Sequence, residues 1–432
     1  MSALPPGPAI SMPRQTLELL RRPIPFLEAS RQRFGSTFTV RVARAGELVI
    51  VSDPGSIKTL FGADRENELP PGRAVVLEPL LGRRSVLVLE EPEHMRMRRL
   101  MLPPFHGERM RAYGEQMGAI TREELASRPP GEEFRLHTAM QAITLEVILR
   151  IVFGVAAGQQ RERLRALLVE VLELTQSAAV QVAALASRRF GRFGPYGRVL
   201  ALRARLDALL LDLIAATRRD PKLDERDDIL ALLLSARFED GTAITDDEAR
   251  DQLVTLLLAG HETTATALSW TLDLTLHRPE VNAAARAAAA SPDGDRYLDA
   301  LANEALRLRP VVPMVGRRIQ AAMEIGGRTL PAETNVMPSI WLTHTDPAVF
   351  PDPHQFRPER FLDTAPETYS WIPFGGGTRR CLGAAFAQFE MRVVLRELFT
   401  AIELESLGPE EAIVRRNVTF APRDGVRVRP VR

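Results

Sequence analysis

The sequence has 432 residues, of which 45% are hydrophobic and 26% are charged, and its formal net charge is +1. A chain of this length can bury a large core, and a net charge near zero gives no reason to expect nucleic acid or a membrane surface as a partner. Cys381 is the only cysteine, which excludes an internal disulfide and fits a cytoplasmic protein. The N-terminus lacks the pattern of a signal peptide and no apolar run is long enough to cross a bilayer, so we expect no membrane anchor.

The predicted elements are mostly helices, which follow a short hairpin near the N-terminus. Residues 37–52 hold two β-rich runs around an Ala-Gly turn, which indicates the hairpin. Apolar residues at helical spacing then predict helices over residues 106–127, 136–154, 160–178, 196–219, 226–237, 245–277, 280–290, 294–308 and 382–399. Strand-like runs return near residues 322–338 and 412–430. The predicted fold class is therefore mainly α with a minor antiparallel β-sheet.

The longest predicted helix, over residues 245–277, is long and apolar enough to run through the core. At about 1.5 Å per residue it would span roughly 50 Å. Thr245 and Glu248 have the spacing of a capping box at its start. We find neither a linker rich in Gly and Ser nor an internal repeat, so we expect a single domain over residues 35–432, with residues 1–34 as an N-terminal extension packed on it.

The segment 374–383, Phe-Gly-Gly-Gly-Thr-Arg-Arg-Cys-Leu-Gly, surrounds the cysteine with features that suit a metal-bound thiolate. Its three consecutive glycines permit tight turns and the close approach of a flat ligand. Arg379 can neutralise a carboxylate, and Phe374 can pack over the sulfur. Cys381 is predicted to open a helix, where the dipole and nearby backbone N–H groups would stabilise a thiolate, those groups being the ones of Leu382, Gly383 and Ala384.

A lone cysteine in an average protein is more often a small buried hydrophobe than a ligand. A packed core needs neither a glycine-rich turn nor an adjacent arginine, so this loop favours the ligand interpretation. Zinc is disfavoured because no second cysteine and no suitable histidine lies at ligand spacing from Cys381.

A polar stretch, Ala259-Gly260-His261-Glu262-Thr263-Thr264, interrupts the apolar pattern of the longest predicted helix. Ala259 and Thr263 are four residues apart and share a face, where the small residues at 259 and 260 would open a groove. The Thr263 hydroxyl can bend the helix locally, and Glu262 places an acid beside that hydroxyl. A tolerated polar patch is the alternative, and His261 is expected to be structural.

At these residues the chain resembles the cytochrome P450 family, from about residue 35 to the C-terminus. Segment 374–383 matches the family's haem-binding pattern Phe-x-x-Gly-x-Arg-x-Cys-x-Gly at every fixed position, and residues 259–264 are similar to its oxygen-activation motif. The resemblance implies that Thr263 steadies bound dioxygen and that Glu262 helps to deliver protons. It also implies that Cys381 is the axial ligand of haem b (iron protoporphyrin IX) and that four further residues lie against the cofactor, namely Ala259, Phe374, Arg379 and Gly383.

Two further motifs resemble family elements that hold the fold together. Glu304 and Arg307 match a Glu-x-x-Arg pair, and residues 356–361 resemble the Pro-x-Arg-Phe element that supplies Arg360. The implied triad of Glu304, Arg307 and Arg360 would anchor the long loop of residues 343–380, and its role is structural.

The resemblance also implies cationic partners for the two haem propionates. His94 and Arg98 are four residues apart on one helix face, as in the family's propionate-binding helix. Arg317 occupies the matching position after the Glu-x-x-Arg helix, although its neighbour Arg318 is an alternative. Together with Arg379, these groups would hold both carboxylates.

The implied reaction is the hydroxylation of a lipophilic substrate with dioxygen and two externally supplied electrons. A fatty acid, terpenoid, steroid or polyketide is expected in an apolar pocket, whose candidate residues are Val86, Leu87, Leu258, Val312, Met314, Val418 and Thr419. The expected electron source is a ferredoxin-type donor with its reductase, attracted by a basic patch of Arg96, Arg99 and Arg380. The enzyme is expected to act as a monomer.

Three alternatives remain open from the sequence. A peroxide-driven haem oxygenase is disfavoured by the Glu262–Thr263 pair, because peroxide chemistry does not need protonation of bound dioxygen. A non-catalytic haem-binding sensor or carrier is disfavoured by the intact oxygen-activation segment. A helical scaffold without a cofactor would give a colourless protein.

Overall fold

Helices dominate the computed structural model, which describes residues 4–67, 78–107, 109–155, 158–176, 195–363, 366–416 and 418–431. In chain order they are α1 (Met12–Arg21), α2 (Pro23–Phe34), α3 (Pro54–Asn67), α4 (Glu78–Leu81), α5 (Glu93–Met101), α6 (Arg109–Ala126), α7 (Leu136–Val147), α8 (Gln159–Gln176), α9 (Pro195–Arg218), α10 (Ile229–Ser235), α11 (Asp246–Leu276), α12 (Pro279–Ala290), α13 (Asp295–Leu308), α14 (Ile340–His344), α15 (Arg360–Asp363) and α16 (Ala384–Ala401). The predicted mainly α fold class is confirmed. Within the described residues, no helix is both long and apolar enough to span a membrane.

The strands form small sheets, and the predicted hairpin is present as β1 and β2. The strands are β1 (Thr37–Val42), β2 (Gly46–Val51), β3 (Phe134–Arg135), β4 (Arg317–Arg318), β5 (Met323–Ile325), β6 (Arg328–Leu330), β7 (Asn335–Pro338), β8 (Leu404–Ser406), β9 (Ile413–Arg416), β10 (Thr419–Pro422) and β11 (Arg427–Pro430). The largest sheet has the order β1-β2-β7-β4, while β5 pairs with β6, β9 with β10, and β11 with both β3 and β8.

One strand pair departs from the predicted antiparallel arrangement. β2 and β7 are parallel, with Val49 opposite Val336, whereas the other pairs named above are antiparallel. A parallel pair needs a long crossover connection, which a hairpin cannot provide. The helices between β2 and β7 supply that connection, so this sheet joins the two halves of the chain.

The longest helix, α11, begins with the predicted capping box. The Thr245 N–H donates to Glu248 Oε2 (2.9 Å), and the Glu248 N–H donates to Thr245 Oγ1 (3.2 Å). Most residues of α11 are buried, among them Leu253 and Leu268, and the helix packs against α7, α9 and α13. The prediction of a long helix through the core is confirmed.

Two predicted helices differ from the structure at their ends. The helix predicted over 136–154 is α-helical only to Val147 and continues as a π-helical turn, Ile148–Val152. The helix predicted from Leu382 begins only at Ala384, because the Cys381 N–H donates to the Phe374 carbonyl (2.9 Å) and closes a turn before the helix starts. Cys381 therefore precedes this helix rather than opening it. The last two residues of the helix predicted over 160–178 lie outside the described residues.

The N-terminal helices α1 and α2 were not predicted, and a buried glutamine attaches them to the hairpin. Gln15 Nε2 donates to the carbonyls of Pro8 (3.0 Å) and Ile10 (2.8 Å). Gln15 Oε1 accepts the N–H of Arg41 on β1 (2.8 Å). A single fully buried amide thus satisfies backbone groups on both sides of this contact.

A buried ion network anchors the loop-rich segment 343–380. Glu304 and Arg307 are fully buried, and the guanidinium grips the carboxylate through Nε–Oε2 (2.7 Å) and Nη2–Oε1 (2.8 Å). Arg360 Nε lies 3.4 Å from Glu304 Oε1. The structure therefore brings the predicted triad together. Further N–H groups of Arg307 hold the loop directly, by donating to the carbonyls of His344, Pro353 and Gln355.

Candidate active site

The cysteine loop places the Cys381 thiol against an internal space. The side chain has accessible surface although it lies in the protein interior, where burial raises the pKa of Cys381. The N–H of Gly383 and the charges of Arg98 and Arg380 act in the opposite direction and favour the thiolate. A side chain that is both desolvated and accessible lines a cavity.

The glycines of this loop have separate structural roles. Gly375 and Gly377 have positive φ angles of 68° and 67°, which side chains other than glycine rarely adopt. Gly376 lies so close to the Phe61 ring that an added Cβ would be 2.3 Å from a ring carbon. A Cβ on Gly383 would meet nothing within 4 Å, which shows open space next to the thiol. The loop is therefore tight against the fold on one side and open on the other.

The central turn of α11 also borders open space. Ala259 is exposed, although its neighbours Leu257 and His261 are buried. One turn later, the Thr263 hydroxyl donates to the Ala259 carbonyl (2.6 Å), which fixes the orientation of that side chain. Such accessibility in the middle of a core helix indicates a cavity along the face that carries Ala259.

Glu262 extends from α11 toward α7, where His137 and Gln141 meet its carboxylate. Gln141 Nε2 donates to Oε2 (2.8 Å), and His137 Nε2 lies 3.3 Å from Oε1. Burial opposes the ionisation of Glu262, but the contacts with His137 and Gln141 outweigh it and lower the pKa of Glu262. The acid is therefore ionised at neutral pH.

Sequence reasoning missed His137 and Gln141, although α7 carries a detectable signal. His137, Gln141 and Thr144 have the spacing i, i+4, i+7 in a mostly apolar helix, so they share one face. Thr144 Oγ1 lies 2.9 Å from His261 Nδ1, and burial lowers the pKa of His261 to about 4. His261 is thus neutral and hydrogen-bonded between helices, which agrees with the structural role expected for it.

Two of the predicted propionate-binding groups lie on α5, beside the cysteine loop. His94 is buried, and its Nδ1 lies 2.6 Å from Glu91 Oε1. Burial and the charge of Arg379 lower the pKa of His94 to about 4. Burial also lowers the pKa of Arg98, while the nearby Cys381 thiolate acts against that shift. The charge of Arg379 therefore acts on His94, and Arg98 and the Cys381 sulfur act on each other.

Arg317 is buried against the cysteine loop, and its neighbour Arg318 is not. Arg317 Nη2 donates to the Gly376 carbonyl (2.8 Å), and its guanidinium lies 5.2 Å from the centre of the Phe61 ring. Successive residues of a strand face opposite sides, so β4 sends the next side chain toward the surface. There Arg318 meets two acids, Glu90 and Glu333. Arg317 is thus the interior cation of the two.

The residues of this site fit a haem. The group needs a metal ligand, partners for two carboxylates and a slot for a flat ring. Cys381 supplies one thiolate, and open space lies beside Gly383 and Ala259. Across the described part of the chain, no three His, Cys, Asp or Glu side chains cluster as a metal site. The groups that could donate to the carboxylates are the cations of Arg98, Arg317 and Arg379 and the ring of His94, which is neutral at pH 7.

The candidate substrate residues fall into groups by burial. Val86 and Thr419 are buried, whereas Leu87 and Val418 are 42% and 60% exposed. The Phe420 N–H donates to the Val311 carbonyl (2.8 Å), which places β10 beside the segment that follows α13. The partly buried candidates are Leu258, Val312 and Met314.

Three buried polar side chains of α11 hold segment 84–86. Asp251 Oδ2 and Gln252 Oε1 accept the N–H groups of residues 84 and 86, at 3.0 and 2.9 Å. The Thr255 hydroxyl donates to the Asp251 carbonyl (2.6 Å), so its oxygen accepts the hydrogen bond from the Ser85 hydroxyl (2.7 Å). These contacts fix one group of substrate candidates relative to the helix that carries Ala259 and Thr263.

The predicted basic patch is partly neutralised by an acidic turn. Arg96 Nη2 lies 3.2 Å from Asp240 Oδ2, and its guanidinium is 3.5 Å from the centre of the Phe238 ring. Arg99 Nη1 lies 2.6 Å from Glu239 Oε1. Arg96 and Arg99 are exposed, as expected, but a turn about 140 residues later in the chain folds onto them and pairs with both. An open groove of about 860 Å³ lies between this turn, α5 and the cysteine loop.

The chain is similar to known proteins over nearly its whole length. A family model described as Cytochrome P450 matches residues 5–424. Cytochrome P450 135B1 of Mycobacterium tuberculosis is 41% identical over 435 residues, which cover 99% of this chain and 91% of that protein. Cytochrome P450 137 of the same species is 39% identical over 403 residues, which cover 92% of this chain and 83% of that protein.

Two solved structures share the fold. Retinoic acid bound cyanobacterial CYP120A1 has a TM-score of 0.84 and 25% identity, and the match covers 100% of this chain and 99% of that one. The cytochrome P450DA haem domain has a TM-score of 0.85 at 22% identity, with coverage of 100% and 98%, and is similar in fold alone. The chain therefore belongs to the cytochrome P450 family, whose members bind haem through a cysteine thiolate and act as monooxygenases.

Proposed function

We propose that this monooxygenase hydroxylates a lipophilic substrate with electrons from a ferredoxin-type protein and its reductase, and that Cys381 is the axial ligand of its haem iron. The observation that carries the proposal is the Cys381 thiol, which is desolvated, accessible and next to the N–H of Gly383. When bound, haem supplies the reductive splitting of dioxygen, in which one oxygen atom enters the substrate and the other leaves as water.

Burial raises the pKa of Cys381, and its neighbours partly counter that cost and favour the thiolate that would bind the iron. The Gly383 N–H donates to the sulfur, and the charges of Arg98 and Arg380 favour its ionised form. Hydrogen bonds to a ligand sulfur also tune how much charge it donates. The Cys381 N–H bond to the Phe374 carbonyl fixes the position of the sulfur.

Three arginine cations and the neutral ring of His94 are proposed to bind the two carboxylates of haem. His94 and Arg98 come from α5, Arg317 from β4 and Arg379 from the cysteine loop, so separate elements converge on one region. Charge-assisted hydrogen bonds from such groups are stronger than neutral ones. Haem binding would therefore tie these elements to one another.

Thr263 and Glu262 are the groups proposed to handle protons. The Thr263 hydroxyl donates to the Ala259 carbonyl, so its oxygen retains lone pairs that can accept a hydrogen bond from the cavity. Glu262 is ionised at neutral pH and can take up a proton and pass it on. The two residues are adjacent on α11, so a proton has a short path from the acid to the hydroxyl.

The apolar candidate residues support a lipophilic substrate. Val86, Leu258, Val312 and Met314 offer hydrocarbon surface, which dominates most small-molecule pockets. A structure with the same fold was solved with retinoic acid bound. Among fatty acids, terpenoids, steroids and polyketides, terpenoid acids are therefore the first class to test.

Arg380 supports electron entry near the cysteine loop, because it is exposed and next to Cys381 in the chain. An acidic ferredoxin would complement this charge. Such a partner would have to compete with Glu239 and Asp240 for the neighbouring arginines. We propose that the chain acts as a monomer, since one chain supplies every group named here, and sedimentation of the haem-loaded protein would test this.

The test of Cys381 is the absorption of the reduced, carbon-monoxide-treated protein. The wild-type protein should show the red-shifted band that marks thiolate ligation, and Cys381→Ser should lose it. Thr378→Ala, which alters the same loop, should retain the band. A wild-type protein that binds haem without this band would overturn the assignment of Cys381.

Turnover separates the proposed function from its alternatives. With ferredoxin, reductase and a lipophilic compound chosen by a spectral shift screen, we expect steady NADPH consumption and a hydroxylated product. Product formation with peroxide but not with the reductase system would favour a peroxide-driven oxygenase. Haem binding without product in either system would favour a sensor or carrier.

A further inference from the structure

We infer that His137 is a positioning residue that holds Glu262 as an ion pair on the α7 side of α11 and returns a proton to it during turnover. The inference rests on the proposed role of Glu262 in proton delivery. It concerns a single contact, in which His137 Nε2 lies 3.3 Å from Glu262 Oε1.

The surroundings of His137 place an acceptor next to each of its ring nitrogens. The Ser269 hydroxyl donates to the Ala265 carbonyl (2.6 Å), so its oxygen accepts the hydrogen bond from His137 Nδ1 at 3.2 Å. The other ring nitrogen, Nε2, faces the ionised carboxylate of Glu262, which can only accept. Both ring nitrogens thus face acceptors, and only the doubly protonated imidazolium donates from both.

The position of His137 makes this cation dependent on Glu262. The residue is the second of α7, where the helix dipole disfavours positive charge. Its side chain is also buried, with 5% of the residue exposed. A buried charge is sustained only by a partner of opposite sign, and the Glu262 carboxylate is that partner.

Within the described residues, other polar groups also lie around this pair. His261 on α11 is neutral, because burial lowers its pKa to about 4. Arg135 lies in the same corner, beside Gly425. Gln141 holds the second carboxylate oxygen and has no proton to exchange. A proton transfer to Glu262 inside this cluster therefore starts at His137.

The contact supports a balanced proton transfer. The Nε2–H bond of the imidazolium breaks and an Oε1–H bond forms on Glu262, so a cation and an anion become two neutral groups. The ionic attraction between α7 and α11 is then lost, and the carboxylic acid is free to turn toward Thr263. After Glu262 has given up its proton there, the carboxylate returns to the ring, which takes a proton from solvent.

The charge of His137 can be measured by ¹⁵N NMR on protein labelled in its seven histidines. The haem-loaded, reduced and carbon-monoxide-bound form is diamagnetic, so its ring signals are sharp. We expect one ring, absent from the spectrum of His137→Gln, to carry protons on both nitrogens at neutral pH. A neutral ring would overturn the inference.

Glu262→Gln provides a second assignment of the same signal, even where His137→Gln does not fold. Without the carboxylate, the ring should lose its second proton at a pH lower by at least about one unit, which corresponds to a tenfold weaker proton affinity. No change in that titration would contradict the ion pair. The carbon-monoxide band of the wild-type protein reports on Cys381 separately, so failure of this inference and failure of the proposed haem ligation are seen independently.

Turnover tests the proton transfer itself, measured as product formed per NADPH. His137→Gln should lower this ratio about tenfold at neutral pH and remove its pH dependence, because a proton source has been lost. Gln141→Leu removes the other partner of the carboxylate, and it should lower the ratio less and keep the wild-type pH profile. His106→Gln changes an exposed histidine outside this cluster and should match the wild-type protein.

His137→Arg separates a proton source from a fixed charge. An arginine can hold the carboxylate but does not release a proton at ordinary pH. A ratio that stays as low as in His137→Gln would support proton return by His137. Recovery of the wild-type ratio would overturn it and leave a purely electrostatic role.

Discussion

The Glu304–Arg307 pair and the Glu262–His137 pair are both buried in the core, and they differ in how completely they are hydrogen-bonded. Arg307 grips both oxygens of Glu304 at 2.7 and 2.8 Å, and its other N–H groups donate to backbone carbonyls. His137 and Glu262 are 3.3 Å apart, which is long for a charged hydrogen bond. The first pair is locked by geometry, whereas the second keeps a contact that can open. Buried charge that only holds the fold can be saturated with bonds, whereas the proposed role of Glu262 in passing protons requires room to move.

A third buried acid, Glu390, extends this comparison to a carboxyl group with an oxygen that has no hydrogen-bond partner among the described residues. Glu390 on α16 is almost inaccessible, and within the described residues its Oε1 has no hydrogen-bond partner. Burial alone raises the pKa of Glu390 to about 8. The three carboxyl groups thus range from a saturated ion pair, through a loose one, to an acid kept neutral by its surroundings.

Breaking the locked pair should have the largest effect. Arg307→Leu leaves the Glu304 carboxylate buried without its guanidinium, which should lower the free energy of unfolding by about 3–5 kcal/mol. Urea unfolding followed by circular dichroism measures this change. Arg427→Leu, which breaks an exposed pair with Glu133, is the control and should have little effect. An equally small effect of Arg307→Leu would contradict the locked role.

Glu390 should make stability depend on pH. Its pKa is 4.5 as a free side chain and about 8 in the folded protein, so the folded state binds this proton more tightly. The stabilisation is fully present below pH 4.5 and is lost as pH rises toward 8, at about 1.4 kcal/mol per pH unit. Glu390→Gln should remove this slope and be more stable than the wild-type protein at the upper end of the range. Unfolding curves that change with pH equally in both proteins would show that Glu390 is not the cause.

A change at Thr263 tests the proposed proton path that starts at the looser pair, Glu262 and His137. Thr263→Ala should retain haem and the carbon-monoxide band but form about tenfold less product per NADPH, because the hydroxyl that receives the proton is gone. Thr264→Ala, which alters the buried neighbour, is the matched control and should stay close to the wild-type ratio. If Thr263→Ala hydroxylates as efficiently as the wild-type protein, the assigned proton path is wrong.

Exposed ion pairs should show the smallest effect. Glu239→Gln with Asp240→Asn frees Arg99 and Arg96, so reduction by an acidic ferredoxin should become about threefold faster at low ionic strength. The gain should vanish near 1 M salt, where charges are screened within about 3 Å. Stopped-flow reduction measures both, with Glu133→Gln as the control. A gain that persists at high salt would exclude an electrostatic cause.

Features whose partners are close in the chain could be predicted from the sequence. The Thr245–Glu248 capping box needs only a three-residue spacing, and it forms as expected. The glycines of the cysteine loop predict tight turns, and the positive φ angles of Gly375 and Gly377 confirm them. Local patterns predicted the ends of helices less well, because the turn that ends at Gly383 makes α16 begin two residues later than expected.

Contacts between distant segments could not be predicted in the same way. A polar residue on a helix predicts the face it occupies but not the helix it will meet, so Gln141 gave no hint of Glu262, 121 positions away. Arg96 and Asp240 are separated by 144 positions and meet only when the chain folds. The choice between Arg317 and Arg318 needed the pairing of β4, because a two-residue period does not say which side is interior.

The position of segment 84–86 depends on α11, because Asp251, Gln252 and Thr255 hold it there by hydrogen bonds. Exchange of this segment to redesign selectivity would therefore also disturb the helix that carries Thr263. Altered substrate preference and wasted reducing equivalents should then arise together. Replacing Val86 alone, while Asp251, Gln252 and Thr255 stay in place, should change substrate preference without wasting reducing equivalents.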